Sequence, residues 1–274
     1  MSDPVEIRPL PHARRKAFAE LGSRAGRERR GRFLLEGPRA IAAALDRGVE
    51  FEALVVDDAG EAVLREWGAG DRLPAGLETY RAAARDLAEL ADTATPQGML
   101  AIGRRPRAAL EDLPPPGGRV VLVADGVQDP GNLGTLLRTL AAAGGTTAIC
   151  LRGTVDPWNP KALRGAAGAT FALAIAVTVE PADALGWCAT RGIPVVALSA
   201  DAPSLLERPL PGGAVALVVG NEAAGLSPAF EEGAAVVASL PMAPGVESLS
   251  AAVAGSIAMY VLAHGLVPAA GAPA

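Results

Sequence analysis

Chemistry in this sequence must be built from arginine, asparagine, glutamate and serine, and Asn132, at the end of a polar loop, and Arg138, on the helical pattern that follows, are placed where they could take part. Arginine brings a permanent cation and five donors, glutamate an acceptor-only carboxylate, and asparagine and serine both donate and accept. Such a set suits positioning and electrostatic work. The two histidines, His12 and His264, lie in a basic terminal segment and near the end of the last helical pattern. We read both as structural or surface residues, so serine–histidine chemistry is poorly supported. Lysine occurs only at 16 and 161, and no G-x-x-x-x-G-K-[ST] is present, which excludes a P-loop. No G-x-G-x-x-G follows the first strand of the C-terminal half, which disfavours a nucleotide-dependent oxidoreductase. Each residue also has an ordinary reading. Asn132 ahead of an apolar periodic run is a good helix cap, and Arg138, among Leu136, Leu137 and Leu140, fits the solvated face of an amphipathic helix. From the residues alone Arg138 is either a surface charge or a working group.

These residues sit in stretches that share one grammar, a hydrophobic strand running into a glycine-bearing polar loop. In RVVLVADGVQDPGNLGTLLRT (119–139) a buried strand leads into a loop with two glycines and a proline, and a helical pattern begins near Leu133. The grammar returns in ALVVGNEAAGLS (216–227) and VVASLPMAPGVESLSAAVAGSIAMYVL (236–262), where Ser248 reads as the cap of a helix from Leu249 to about 263. Loops after such strands are where open α/β sheets place ligands, and three of them could converge on one site. Strands expected at 119–124, 146–151, 173–179, 193–200, 214–219 and 235–240 alternate with helical segments, which implies a mostly parallel sheet covered on both faces.

The order, spacing and wording of QDPGNLGTLLRT, VVGNEAAGLS and LPMAPGVESLS resemble the three motifs of the SpoU/TrmH branch of the SPOUT superfamily, the S-adenosylmethionine-dependent RNA ribose 2′-O-methyltransferases. VDPWNPKALRGAAGATF resembles the segment that usually follows that family's second strand. FLLEGPRAI and ATPQGMLAI resemble the ribosomal-protein-L30e-type substrate-binding domain that precedes the catalytic domain in many members. The resemblance implies an α/β protein with a small N-terminal L30e-like αβ domain and a C-terminal trefoil-knot domain with a mostly parallel sheet. It implies a homodimer formed through the knotted domain, S-adenosylmethionine as cofactor and no metal.

The resemblance also assigns residues. Arg138 would activate the ribose 2′-hydroxyl. Because a guanidinium stays protonated, it could instead hold the neighbouring phosphate and stabilise developing alkoxide charge. Asn132 and Glu222 would support the substrate or orient that arginine, the latter through a Glu222–Arg138 ion pair, with Ser248 completing the catalytic set. Gly220, Leu240, Met242, Leu249 and Ser250 match the cofactor loops. One departure stands out: the family's usual Ser-Leu-Asn is here Ser248-Leu249-Ser250. Serine keeps a donor and an acceptor but loses the amide's reach. The two-domain layout points to ribosomal RNA as substrate. The alternatives are a transfer-RNA 2′-O-methyltransferase and, motivated by Ser250, a non-catalytic RNA-binding or assembly factor retaining the fold.

At 274 residues, half of them hydrophobic, the chain suits two domains with a sizeable core. We expect a substrate-binding domain over 1–105, a Pro/Gly-rich linker over 106–118 and the methyltransferase domain over 119–268. In the first domain a basic helix (11–21), a short strand and helix ended by Gly48, a strand at 51–58, helices at 61–67 and 82–90, and a closing strand at 98–103 are expected. The net charge of −5 argues against a nucleic-acid partner, but its distribution does not: residues 1–107 carry 18 basic and 17 acidic groups, and the remainder 7 and 13. Nine cations lie between Arg8 and Arg32 against Glu20 and Glu28. Arg24, Arg27, Arg29, Arg30 and Arg32 are therefore candidate RNA contacts, with a solvated basic arm as the alternative. No apolar run reaches the length of a membrane span and no signal-peptide core opens the chain, so we expect a cytoplasmic protein. Cys150 and Cys188 sit in apolar surroundings and read as core residues rather than a disulfide or zinc site.

Overall fold

A computed structural model describes residues 6–67, 73–74, 76–106, 108–207, 212–246 and 248–266. The last two residues of the expected methyltransferase domain, 267 and 268, lie outside them. The chain divides into two compact units. One holds the residues up to Pro106 together with Trp158–Phe171, and the other holds the remainder.

The first unit is built on a mixed sheet of β1 (Ile7–Pro9), β2 (Arg32–Glu36), β3 (Phe51–Val56), β4 (Glu78–Arg81) and β5 (Met99–Arg104), in the order β1-β4-β3-β5-β2. Its helices are α1 (His12–Ala19), α2 (Arg24–Arg30), α3 (Pro38–Leu45), α4 (Asp58–Glu66) and α5 (Ala84–Leu90). Successive strand residues point to opposite faces, and both faces here are apolar. Phe33, Leu35, Leu54, Val56, Met99 and Ala101 join one buried cluster with Ile41 of α3, while Leu34, Ala53, Val55, Leu100 and Ile102 join another with Phe18 and Leu87. That alternation explains why FLLE, LVV and MLAI read as continuous hydrophobic runs. The short elements β1, α2 and β4 carry no such run and were not anticipated.

Trp158–Phe171 is a correction to the expected boundaries. This stretch, containing α7 (Pro160–Ala166), belongs to the first unit although the chain before and after it belongs to the second. The cause is aromatic burial. The rings of Trp158 and Phe171 lie 5.5 and 5.4 Å from that of Phe33 and 6.0 Å from each other, and Leu163 is buried in the same cluster. Arg164 pairs with Asp92 at 2.7 Å and with the buried Glu36 at 3.8 Å.

The expected linker is corrected too. Leu113 is buried in the core of the second unit with Leu110 against it, Ala108 bridges to Ala176, and the Gly117 amide donates to Thr146 at 2.7 Å. Two leucines thus anchor a proline-rich stretch that composition alone made look free.

The second unit is a six-stranded, wholly parallel sheet: β6 (Val120–Ala124), β7 (Thr147–Leu151), β8 (Ala174–Val179), β9 (Val195–Leu198), β10 (Val215–Val219) and β11 (Val236–Ala238), ordered β11-β9-β10-β6-β7-β8. Every residue of β6, β7 and β10 is buried. Its helices are α6 (Pro130–Ala142), α8 (Pro181–Thr190), α9 (Pro228–Gly233) and α10 (Ala251–His264). The chain runs outward from β6 through β7 to β8, and β9, β10 and β11 fill the other side. The direction of winding therefore switches between β6 and β10, and the loops leaving their carboxyl ends are neighbours.

Gly255 lets α10 seat closely: a β-carbon there would stand 2.5 Å from Leu136 of α6 and 2.9 Å from Val219 of β10. Thr139 and Ser256 join their hydroxyls across the same contact at 2.9 Å. Cys150 and Cys188 are free, buried core residues, and burial pushes their thiols up to about 12 and about 11. Among the described residues no helix is long and apolar enough to cross a membrane.

Candidate functional site

The loop after β6 enters α6 through Asp129-Pro130. The Asp129 carboxylate caps the helix by accepting from the Asn132 backbone amide at 2.8 Å, and Pro130 takes the first helical position, where no amide hydrogen is needed. The helix therefore begins three residues before Leu133, and Asn132 is not its cap. That frees the Asn132 side chain, whose amide donates to Glu222 Oε1 at 2.8 Å. Glu222 also accepts from the backbone amides of Gln128 and Asp129, at 3.2 and 3.4 Å.

The loop after β10 is braced by its own chemistry. Asn221 accepts from the amides of Ala223 and Ala224 at 2.9 and 2.8 Å and donates to the Gly126 carbonyl at 2.7 Å. Buried Asp125 accepts from the Ser227 amide at 2.6 Å. Gly220 is required by close approach, because a β-carbon there would meet the Gly225 carbonyl oxygen at 2.5 Å. Asp125, Asp129 and Asn221 were missed in the sequence. The Asp-Pro pair ahead of an apolar run was the available signal for Asp129, whereas the other two partners follow only from strand order.

Partial burial would raise the Glu222 pKa, but the hydrogen bonds from Asn132 and from backbone amides outweigh it, so the carboxyl sits below its ordinary 4.5. A depressed folded pKa contributes stability that is present above 4.5 and lost as pH falls through the folded value. The Asn132 side-chain amide resonances should therefore hold their shifts from neutral pH to about 4.5 and move only below it. Movement near pH 6 would contradict an ionised Glu222.

The anticipated Glu222–Arg138 ion pair is not formed. Arg138 is exposed, and among the described residues it has no hydrogen-bond or ion-pair partner. Helix geometry accounts for this. Six residues separate it from Asn132, which places it about 9 Å along the axis and roughly a third of a turn away, while Glu222 is engaged at the helix start.

A cleft of about 460 Å³ opens beside this junction. Of the residues singled out in the sequence, Gly220, Glu222, Leu240, Met242, Ser248 and Leu249 line it, whereas Asn132, Arg138 and Ser250 do not. It also takes Leu198, Ser199 and Asp201 from the end of β9 and Glu231 from α9, segments to which no motif pointed. The volume falls in the range of small-molecule sites. Leu198, Leu226, Leu240, Met242 and Leu249 offer apolar surface, and Ser199, Ser239 and Ser248 offer hydroxyls. This donor set suits a nucleoside-bearing cofactor such as S-adenosylmethionine.

The Ser-Leu-Ser departure also finds a physical account. Ser250, not Ser248, caps α10, its hydroxyl oxygen accepting from the Val253 amide at 3.3 Å, and the helix starts at Ala251 rather than Leu249. Serine and asparagine are near-equal caps. Ser250→Ala should cost about 1 kcal/mol, roughly 2–4 °C in thermal denaturation, and Ser250→Asn close to nothing. Equal melting of the alanine variant would remove the capping role.

The candidate RNA contacts behave differently from one another. Arg27 is 1% exposed and donates to the backbone carbonyls of Leu21 and Gly22, so it is a core residue of the first unit and not a phosphate contact. Its side chain ties the turn before α2 to the helix that follows. The others lie nearer the surface in ion pairs: Arg24 with Glu28, Arg29 and Arg30 with Glu20, and Arg32 with Glu52, which Arg104 also meets. Exposed pairs of this kind add little stability, so the cations can change partners at small cost.

Comparison with known proteins agrees with this architecture. Residues 119–260 match the model of the SpoU rRNA methylase family, and residues 13–101 match that of the MRM3-like substrate-binding domain. The chain is 31% identical over 264 residues to the 23S rRNA (guanosine(2553)-2′-O)-methyltransferase RlmP of Bacillus subtilis, covering 94% of this chain and 98% of that one. Among solved structures, the AdoMet-bound rRNA methyltransferase of Sinorhizobium meliloti superposes with a TM-score of 0.81 at 27% identity, covering 96% and 99% of the two chains. The SpoU methyltransferase AviRb of Streptomyces viridochromogenes, in complex with AdoMet, gives 0.80 at 26% identity, covering 93% and 98%. With a family model spanning more than half of its residues and a relative aligned over nearly its whole length, this chain belongs to the SpoU rRNA methylase family.

Proposed function

We propose that this SpoU-family methyltransferase moves the methyl group of S-adenosylmethionine to a ribose 2′-hydroxyl of ribosomal RNA. The observation that carries the reading is the junction at the β6/β10 switch, where Glu222 both clamps the start of α6 and lines the cleft. The Bacillus relative, named for 2′-O methylation of a 23S rRNA guanosine, supports the substrate class. The bound cofactor supplies a methyl group already activated on sulfur. The protein's contribution is then to position and to stabilise charge.

In this reading Gly220, Leu240, Met242 and Leu249 hold the cofactor, and Ser248 offers a hydroxyl at the same wall. Glu222 and Asn132 fix the loop that leads to Arg138. Arg138, exposed and unpaired among the described residues, grips a phosphate beside the target ribose and stabilises alkoxide charge as the hydroxyl gives up its proton. Ser250 acts through α10 rather than as a cofactor contact. With its position explained as a cap, the motive for a non-catalytic reading is gone. Arg24, Arg29, Arg30 and Arg32 offer RNA a surface in the first unit.

Two further elements belong to the proposal. The chain works as a homodimer, supported by Val253, Ile257 and Tyr260, which are 42–45% exposed along one stripe of α10. It is knotted, supported by the return of α10 from the edge strand β11 to the centre of the sheet, against Leu136 and Val219.

Calorimetric titration with S-adenosylmethionine, followed by labelled-methyl transfer to unmodified total RNA and nuclease mapping, tests the function. Binding together with a nuclease-resistant 2′-O-methyl dinucleotide from rRNA is expected. Absence of donor binding would overturn the reading.

A further inference from the structure

The cleft has an electrostatic character that neither its motifs nor its apolar walls explain. Three carboxylates line it, Asp201, Glu222 and Glu231, and among its described lining residues there is no lysine, arginine or histidine. Glu222 is engaged by Asn132 and two backbone amides. Asp201, in the loop after β9, and Glu231, in α9, are exposed, and their carboxylates have no hydrogen-bond or ion-pair partners among the described residues. A protein whose substrate is a polyanion gains nothing by lining a cleft with unpaired carboxylates, unless the occupant of that cleft is a cation.

The two forms of the cofactor differ in that respect. At neutral pH the donor carries a sulfonium, an ammonium and a carboxylate, hence one net positive charge. On transfer the carbon–sulfur bond breaks with its electron pair left on sulfur, a carbon–oxygen bond forms, and the hydroxyl proton goes to solvent. S-Adenosylhomocysteine is left with no net charge. Apolar walls and hydroxyls hold the two forms alike, but a negative potential distinguishes them.

We propose that Asp201 and Glu231 are specificity-determining residues of the cleft, favouring the cationic donor over its uncharged product and so easing product release. The inference rests on the cleft being the cofactor site. At separations of a few ångströms in water-rich surroundings, each carboxylate changes the preference only severalfold. The two together give on the order of tenfold, and the preference narrows as added salt screens them.

Isothermal titration of the full chain with S-adenosylmethionine and, separately, with S-adenosylhomocysteine reads this without RNA or turnover. The wild type should bind the donor more tightly. The Asp201→Asn/Glu231→Gln variant should lose roughly tenfold of that preference through the donor alone, with product affinity within about twofold of wild type. Both side chains are exposed, so the amides leave the fold intact, which circular dichroism verifies. Parallel weakening of both ligands would assign the residues to shaping the cleft and overturn the proposal, as would an unchanged preference. A wild type that binds neither ligand would overturn the cofactor reading itself and the proposal with it.

Discussion

Replacing Arg138 with alanine should cut methyl transfer by roughly a hundred- to a thousandfold, the range seen when a preorganised charge-stabilising donor is removed, and leave donor affinity and thermal stability nearly untouched. Both halves of this expectation come from its placement. The side chain does not line the cleft, so the donor should not sense its loss. It is exposed and partnerless among the described residues, so truncation orphans no buried group and should stay within about 0.5 kcal/mol of wild-type stability. Arg138→Lys should recover part of the rate: the charge is kept, but the planar fork that meets a phosphate through two donors is not. Donor titration, melting curves and single-turnover transfer on one RNA measure the three quantities. Wild-type transfer by the alanine variant would remove Arg138 from the chemistry. A large fall in donor affinity would move it into the cofactor site.

Trp158→Ala should be the most destabilising single substitution considered, at about 3–5 kcal/mol. Trp158 is 3% exposed and its ring packs against both Phe33 and Phe171, at 5.5 and 6.0 Å between centroids. Truncation leaves a cavity that the backbone of β2, paired along its length with β5, cannot close. The loss belongs to the first unit, although the residue lies in sequence between β7 and β8 of the second. Calorimetric scans should show a low-temperature transition, with donor binding preserved below it. Trp158→Phe should retain most of the stability. A single unshifted transition for the alanine variant would argue that this aromatic cluster does not hold the first unit together.

The parallel sheet was legible because its strands are short apolar runs between turn signals, and all six fall within the expected spans. Four residues of the cleft wall were within reach of the same pattern: Gly220 follows β10 at once, Leu240 lies two residues beyond β11, and Met242 and Leu249 lie in the stretch between β11 and α10. What could not be read was which side chain meets which. Asn132 had the composition of a cap, but Asp129, three residues earlier with proline behind it, won the position and released Asn132 to Glu222. Arg138 and Glu222 had complementary charge, yet helix pitch separates them. The basic run hid a core residue, because Arg27 satisfies backbone carbonyls rather than solvent. Asp201 and Glu231 come from segments without motifs and reach the cleft only through the order of β9, β10 and β11. In each case the deciding information is a contact distant in sequence, to which local pattern is blind.

The aromatic cluster also sets an order of events during synthesis. Chains begin to fold as they emerge from the ribosome, N-terminal parts first. This first unit cannot finish in that order. When residue 106 emerges, the sheet can pair, but one face around Phe33, Leu35 and Ile41 waits for Trp158, Leu163 and Phe171. By then β6, β7 and α6 have also been made. The nascent N-terminal half therefore carries an open hydrophobic face through the translation of more than fifty further residues. That interval is when a chaperone would find it, and when slow codons or a destabilised Phe33 would do most damage to yield.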